Sequence, residues 1–336
     1  MQDKTPLVSV VMSIYNDGKF AREAVKSVLD QSFADFEFII VDDGAVDDSA
    51  GIVSSFNDPR ISLIRQKNKG LASALNLGIR FARGRVIARQ DGDDISGKYR
   101  LENQIQFLLK NPEVGLVGCD AWVIGENGER IQRTKFPVDD QDMKKVLFEK
   151  QENPFVHGAV MFRKNIAEKV GFYRAEFKKC QDIDLWLRMA EVTSLASIPD
   201  TLYSWRFRKG SISIDNRVTT NEYARLAHLC GHNRRIGKRE PLLTVKGITR
   251  TGFVNFTNSF RVLRDEADDN AFSFAQTLFL SGKIKEARDT FKKVVKKYPS
   301  NLYAWFLLFL CVLPRRISLG IWSFTQKAYR KGTWRV

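Results

Sequence analysis

Three carboxylates in four residues, Asp91-Gly92-Asp93-Asp94, stand directly behind the apolar run Val86 to Arg89. Packed that closely they repel one another, and a hard cation among their oxygens relieves the repulsion. Mg²⁺ or Mn²⁺ takes one or two carboxylates and completes its shell with phosphate oxygens and water. A nucleoside diphosphate supplies such oxygens. The same residues also fit a solvated acidic turn capping the helix that begins near Lys98. A second acidic strand end, Asp42-Asp43-Gly44, suits a hydrogen bond from a pyrimidine N–H, or a turn before a helix capped by Asp47 and Asp48. Asp182 opens an amphipathic helix in Cys180-Gln181-Asp182-Ile183-Asp184-Leu185-Trp186. There it is either an N-cap or a general base facing an acceptor. His228, Cys230 and His232 alternate in a basic helical stretch, and three ligands at that spacing make no metal site.

Elements that would position these groups follow from the hydrophobic pattern. Leu7 to Ser13, Phe36 to Asp42, Ile61 to Arg65 and Val86 to Arg89 are predicted strands, apolar throughout. Helices are predicted over Phe20 to Ser32, up to Phe56, over Leu71 to Ala82 and over Lys98 to Leu109. Strands of this kind joined by helices form a parallel sheet covered on both faces. Ligands of such sheets bind beyond the strands' carboxyl ends. The polar residues there are Tyr15, Asn16, Asp42, Asp43, Lys67, Asn68, Asp91, Asp93 and Asp94.

From Val114 to Phe207 the pattern is mixed. It predicts short strands, a turn at Asn127-Gly128 and helices near 139–149 and 182–190. Beyond it come a basic helix and linker over 216–240. A helix pair follows, Ala271 to Leu280 and Ile284 to Tyr298, broken at Ser281-Gly282. In the last helix Ile284, Ala287, Phe291, Val294, Val295 and Tyr298 share one face.

Composition narrows the classes. The chain has 336 residues, a formal net charge of +15 and 43% hydrophobic content. No secretory signal is expected near Met1, and no apolar run approaches the roughly 20 residues of a membrane span. Four scattered cysteines, with no CxxC pair, fit a reducing compartment. The charge is uneven: residues 241–336 carry 17 Lys and Arg against 6 Asp and Glu. That asymmetry points to an anionic partner for the segment. A nucleic-acid-binding protein would share the charge and leave the acidic strand ends unexplained, so no nucleic-acid partner is expected. A nucleotidyltransferase or another nucleotide-sugar-handling enzyme is the alternative; no Gly-rich phosphate loop follows the first strand to support it.

A series of motifs in fixed order closely resembles the family 2 glycosyltransferases. It comprises Val8 to Asn16, Gln31-Ser32-Phe33, Glu37 to Gly44, Asn68 to Asn76, Gly84 and Asp91 to Asp94, then Arg100-Leu101-Glu102-Asn103-Gln104, His157 to Arg163, Gly171-Phe172-Tyr173 and Gln181 to Arg188. The match runs from about Leu7 to Ser213. It implies a GT-A fold: an α/β, Rossmann-like, mostly parallel central sheet with helices on both faces. It also implies an inverting mechanism, a nucleotide-sugar donor and a divalent metal, Mn²⁺ or Mg²⁺. The donor side then comprises Ser13, Tyr15, Asn16, Asp42, Asp43, Asn68, Asp91 and Gly92, with Asp93 the principal metal ligand and Asp91 nearer the ribose. Asp182 matches the family's catalytic base, and His157, Gln181 and Trp186 fall on the acceptor side. Arg206 sits in the stretch that closes over the diphosphate. Many relatives have His two residues later, where this chain has Arg208; a histidine ligand is thus replaced by a cation facing phosphate.

The expected organisation is a catalytic domain over 1–215, with a nucleotide-sugar half (1–112) and an acceptor half (113–215). A basic helical linker covers 216–265, and a small helical region with a basic amphipathic tail covers 266–336. In the tail, Trp305 to Leu313 is followed by Arg315, Arg316, Lys327, Arg330, Lys331 and Arg335 among Trp322, Tyr329 and Trp334. Aromatics beside cations suit an anionic membrane surface contacted through residues 300–336. The expected acceptor is a glycan or lipid-linked glycan, and the expected location is the cytoplasmic face of the membrane, peripherally bound. The sequence leaves a homo-oligomer open.

Overall fold

The structure, a computed structural model, describes residues 5–208, 217–240, 279, 284–297 and 302–313. The chain divides into two compact units, 1–253 and 254–336.

The first unit is built on one nine-stranded sheet. Its opening half alternates β1 (Val8–Ile14), α1 (Gly18–Leu29), β2 (Phe36–Asp42), α2 (Ser49–Ser54), β3 (Ile61–Arg65), α3 (Leu71–Phe81) and β4 (Val86–Asp91). These four strands are parallel in the order β3-β2-β1-β4. Alternation along the strands explains the two helical layers. Val8, Val10, Met12 and Ile14 of β1 join Phe36, Phe38 and Ile40 in one core with Ala24, Val25 and Val28 of α1. The odd-numbered Val11, Ile39 and Val41 face Gly78 of α3 on the other side. Helix α1 begins two residues before the predicted Phe20 and stops at Leu29. Asp47 explains the early start: its Oδ2 accepts from Gly18 N at 2.9 Å, while its Oδ1 accepts from Ser49 N. One side chain thus joins two helix starts, whereas Asp48, at the N-cap of α2, makes no side-chain cap.

The second half adds β5 (Ile95–Ser96), α4 (Arg100–Lys110), β6 (Val114–Ile124), β7 (Arg130–Arg133), α5 (Asp140–Phe148), a 3₁₀ turn at His157–Ala159, β8 (Met161–Arg163), α6 (Lys164–Val170), α7 (Gln181–Ala190), β9 (Ser194–Arg206) and α8 (Arg217–Arg235). The sheet continues β4-β8-β6-β9-β5, with β7 paired to β6. Strand β8 is antiparallel to both neighbours, while β6 and β9 run parallel. The short strands expected between Val114 and Phe207 are in fact dominated by two long ones, of 11 and 13 residues. Register shifts at Cys119/Asp120 and Asp120/Ala121 break their alternation, so each reads from sequence as separate pieces. The turn expected at Asn127-Gly128 joins β6 to β7, with Gly128 at φ +85°.

In the second unit α9 (Ile284–Lys297) buries Ala287, Phe291 and Val295, one stripe at helical spacing, and α10 (Leu302–Leu310) buries Leu307 and Leu310. The predicted helix Ala271 to Leu280, apart from Phe279, lies outside the described residues, as do Tyr298 and the tail beyond Leu313. Among the described residues no helix is long and apolar enough to cross a membrane.

Candidate active site

Strand order reverses between β1 and β4: the chain leaves β1 for β2 on one side and returns to β4 on the other. A crevice opens outside the carboxyl ends at such a switch point. Parallel register brings Ser13 beside both Val41 and Asp91, and Ile14 beside Asp42, so three strand ends finish level. The expected donor-side residues are thereby gathered in one place. Tyr15 is 46% exposed there, Ser13 is buried at the strand end, and Asn16 (φ +58°) accepts from Val46 N through its side-chain oxygen. Asn68 is exposed in the loop after β3.

The two carboxylates ending β2 differ. Asp43 is fully occupied, accepting from Gln66 Nε2 (2.6 Å), Lys69 N (2.9 Å) and Gly70 N (2.8 Å), so it shapes the loop after β3. Asp42 accepts from Ala45 N (2.8 Å) through one oxygen, with Arg65 Nε 4.0 Å from the other. Of the pair, Asp42 keeps an oxygen for a ligand.

Behind β4 the acidic loop does not cap α4, whose N-cap is Tyr99 with no side-chain cap. Asp91 Oδ1 accepts from Arg89 Nη2 at 2.6 Å, and Asp91 N donates to the Tyr203 hydroxyl. Gly158 lies across from it, where an added Cβ would meet Asp91 Oδ2 at 2.7 Å; only glycine leaves that carboxylate in place. The motif beginning at Arg100 proves to be an internal clamp. Arg100 donates to the carbonyls of Gly158 and Arg89, and Gln104 to that of Ala159, tying the 3₁₀ turn to β4.

A fourth carboxylate, Asp17, joins the cluster, and the sequence pattern gives no sign of it. It sits at the N-cap of α1, where the expected start at Phe20 leaves an unassigned loop. Arg208 bridges it to the acidic loop: Nη2 donates to Asp17 Oδ1 at 2.8 Å and Nε to Asp93 Oδ2 at 2.6 Å. Burial and the neighbouring Asp93 push Asp17 up to about 7. Burial and Asp91 likewise raise Asp93, and Asp94 is driven well up with its Oδ2 buried and unpartnered. Crowded, desolvated carboxylates with an orphaned oxygen are a donor set that fits a hard cation. Among the described residues no group of three or more His, Cys, Asp or Glu side chains is arranged to hold a metal ion by itself.

Asp17 carries a stability signature. The unfolded chain holds this proton only below the ordinary 3.8, the folded chain up to about 7. Stability from this group therefore falls as pH rises through that window. Asp17→Asn, which cannot ionise, is expected to gain Tm over the parent progressively from pH 4 to about 7. A Tm difference flat across that range would show that no such strain exists.

Arg206 departs from its expected place over the diphosphate. Its guanidinium is buried and donates to the carbonyls of Asp93, Gly125 and Glu126 and to Glu23 Oε2, above the Phe20 ring. With its donors spent inside the fold, it holds the end of β9 to the acidic loop. Trp186 also departs from its acceptor-side role. It is fully buried, edge-on to Phe155, His157, Phe162 and Tyr173. Gln181, at the first position of α7, is buried too.

Asp182 does not cap α7: the N-cap is Cys180, left-handed at φ +55° and without a side-chain cap. The half-buried Asp182 accepts instead from Asn153 Nδ2 at 2.8 Å. His157 Nε2 and the Tyr173 hydroxyl are 3.0 Å apart. Burial and Arg89 push His157 down to about 4, and burial pushes Tyr173 up, so both stay neutral at pH 7. Each also feels the charges of Asp91 and Asp182. His228 is buried and held neutral by burial, as expected of a core histidine.

Comparison with known proteins bears on the family and the fold. The family model described as glycosyl transferase family 2 matches residues 9–171, ending before Asp182 and Arg206. The putative glycosyltransferase EpsE of Bacillus subtilis is 34% identical over 66% of this chain and 82% of its own length. The amylovoran biosynthesis glycosyltransferase AmsE of Erwinia amylovora is 33% identical over 63% of this chain and 79% of its own. Among solved structures, S. aureus TarS 1–349 in complex with UDP-GlcNAc superposes with a TM-score of 0.55 at 17% identity, over 97% of this chain and 92% of that one. The superposition shows the fold, a GT-A arrangement. With the ordered motifs, the family match and relatives covered over most of their length, the chain belongs to glycosyltransferase family 2.

Proposed function

We propose that this enzyme transfers a hexosyl or N-acetylhexosaminyl group from a UDP-sugar to an acceptor hydroxyl, with inversion. The observation that carries the reading is the convergence of Asp42 and Asp91 at one switch point, with Asp93 two residues beyond Asp91 and a neutral His157–Tyr173 pair that feels both Asp91 and Asp182. Asp42 takes the base N–H and Tyr15 borders the nucleoside. Asp93, with Asp91, would hold Mn²⁺ or Mg²⁺; when bound, the cation supplies Lewis-acid neutralisation of the departing diphosphate. Arg208 leaves its carboxylates to share that neutralisation, its planar donors matching phosphate oxygens. Asp182 takes the acceptor hydroxyl's proton as that oxygen attacks the anomeric carbon from the face opposite the diphosphate. A single displacement inverts the centre. A thermal-shift panel of nucleotide sugars with Mn²⁺ tests the donor side without an acceptor. Stabilisation by UDP-sugars above all others is expected, and no response to any of them would remove the reading.

The acceptor in this proposal is a growing cell-surface polysaccharide or lipid-linked glycan, in keeping with AmsE, named for amylovoran biosynthesis. The second unit bears on this. Trp305, Phe309 and Val312, spaced along one side of α10 and its end, are 49%, 55% and 62% exposed, and Arg315 and Arg316 follow in sequence. An apolar stripe beside cations suits an anionic bilayer on the cytoplasmic side. The full chain is expected to float with phosphatidylglycerol vesicles, and a chain lacking 300–336 is not. Equal flotation of both would contradict the membrane assignment.

A further inference from the structure

We propose that Asn153 is the positioning residue of Asp182, holding its carboxylate in the orientation from which it serves the acceptor; this rests on the reading of Asp182 as base. The amide Nδ2 of Asn153 donates to Asp182 Oδ2 at 2.8 Å across 29 residues of sequence. Which way the amide points is fixed by its other end. Asn153 Oδ1 accepts from Phe155 N at 3.2 Å, an Asx turn that leaves only the NH₂ group to face Asp182.

The loop carrying Asn153 is restrained on both sides. Pro154 follows it, which limits the backbone of Asn153 to extended conformations. Phe155 packs edge-on against Trp186, with ring centroids 6.0 Å apart, and Trp186 stands one turn beyond Asp182 on α7. Donor and acceptor of the hydrogen bond are therefore referenced to the same helix. The backbone is unusual in the same places: Gln151 at φ +58° lies two residues before Asn153, and Cys180 at φ +55° two residues before Asp182. Left-handed non-glycine residues are held only where the surroundings over-determine them, and they cluster at working sites. Here they set the two side chains of one pair.

The hydrogen bond also selects which oxygen works. Once Oδ2 is engaged by Asn153, Oδ1 is the oxygen presented to a hydroxyl. The other groups around Asp182 are His157 from the 3₁₀ turn, Tyr173 from the segment after α6, and Cys180 ahead of α7. Burial keeps each neutral at pH 7.

The test is hydrolysis of UDP-GlcNAc with Mn²⁺, water serving as acceptor, compared among the parent, Asn153→Ala, Asn153→Ser and Asp182→Asn. Asn153→Ser keeps an acceptor for Phe155 N and removes the reach to Asp182, so it reports the pair even where the alanine variant folds poorly. Both Asn153 variants are expected to lose about tenfold in kcat, with KM for the donor unchanged. Parental kcat in Asn153→Ser, with Asp182→Asn inactive, would overturn the proposal and leave the base assignment standing. Parental turnover in Asp182→Asn would overturn the base assignment itself.

Discussion

Asp182→Asn is expected to lower turnover by about 10²–10⁴-fold, the usual worth of a positioned general base, while UDP affinity stays at the parental level. The substitution is nearly isosteric, and it removes the ability to take a proton. The helix should survive it, because α7 is started by the left-handed Cys180 and not by an Asp182 cap. Trp186, Leu185 and Leu187 keep that helix buried whatever stands at its second position. The nucleotide is expected at the ends of β1, β2 and β4, beyond the His157–Tyr173 pair, and so should not sense the change. Kinetics and UDP calorimetry on the same preparation separate the outcomes: a loss confined to kcat supports the base, and a loss confined to affinity contradicts it.

Asp93→Asn is expected to act on both quantities, lowering turnover by at least about 10²-fold and weakening UDP binding in Mn²⁺. Excess EDTA should do the same to the parent and little further to the variant. Asp17, Asp93 and Asp94 are all raised by burial and by neighbouring carboxylates, so this loop already carries more negative charge than its surroundings accommodate. A divalent cation removes that strain and carries the diphosphate with it. Arg208 answers part of the same charge through its contacts to Asp93 and Asp17. The neutral amide of the variant releases Arg208 from one partner and removes the chief metal ligand, so metal and phosphate grip fail together. Unchanged Mn²⁺ dependence in Asp93→Asn would move the cation to another site.

Much of the donor half was legible because β1, β2 and β4 are buried on both faces and read as unbroken apolar runs. The strand-end rule then drew Asp42, Asp43, Asp91, Asp93 and Asp94 from the chain's many carboxylates without ranking them. The acceptor half resisted, since the bulges near Asp120 erase the period that a long strand would show. Arg206 was misplaced for a different reason: its position in the motif series says where the backbone goes, not where the guanidinium spends its donors. Its partners at Glu23, Asp93 and Gly125 are scattered along the chain, and no local pattern connects them. Trp186 was put on the acceptor side by the resemblance alone; its helical spacing with Ile183 and Leu187 faces the core, where the structure has it. Asp17 and Asn153 escaped because each gains its meaning from a partner far away in sequence, Arg208 for one and Asp182 for the other.

One cation-dependent crevice is expected both to bind and to activate a nucleotide sugar. Release of nucleoside diphosphate from a panel of UDP- and GDP-sugars, followed with Mn²⁺ and with EDTA in the parent and in Asp93→Asn, asks this directly. The prediction is release from a UDP-sugar that EDTA abolishes and Asp93→Asn nearly abolishes. Release that persists undiminished under both treatments would contradict it.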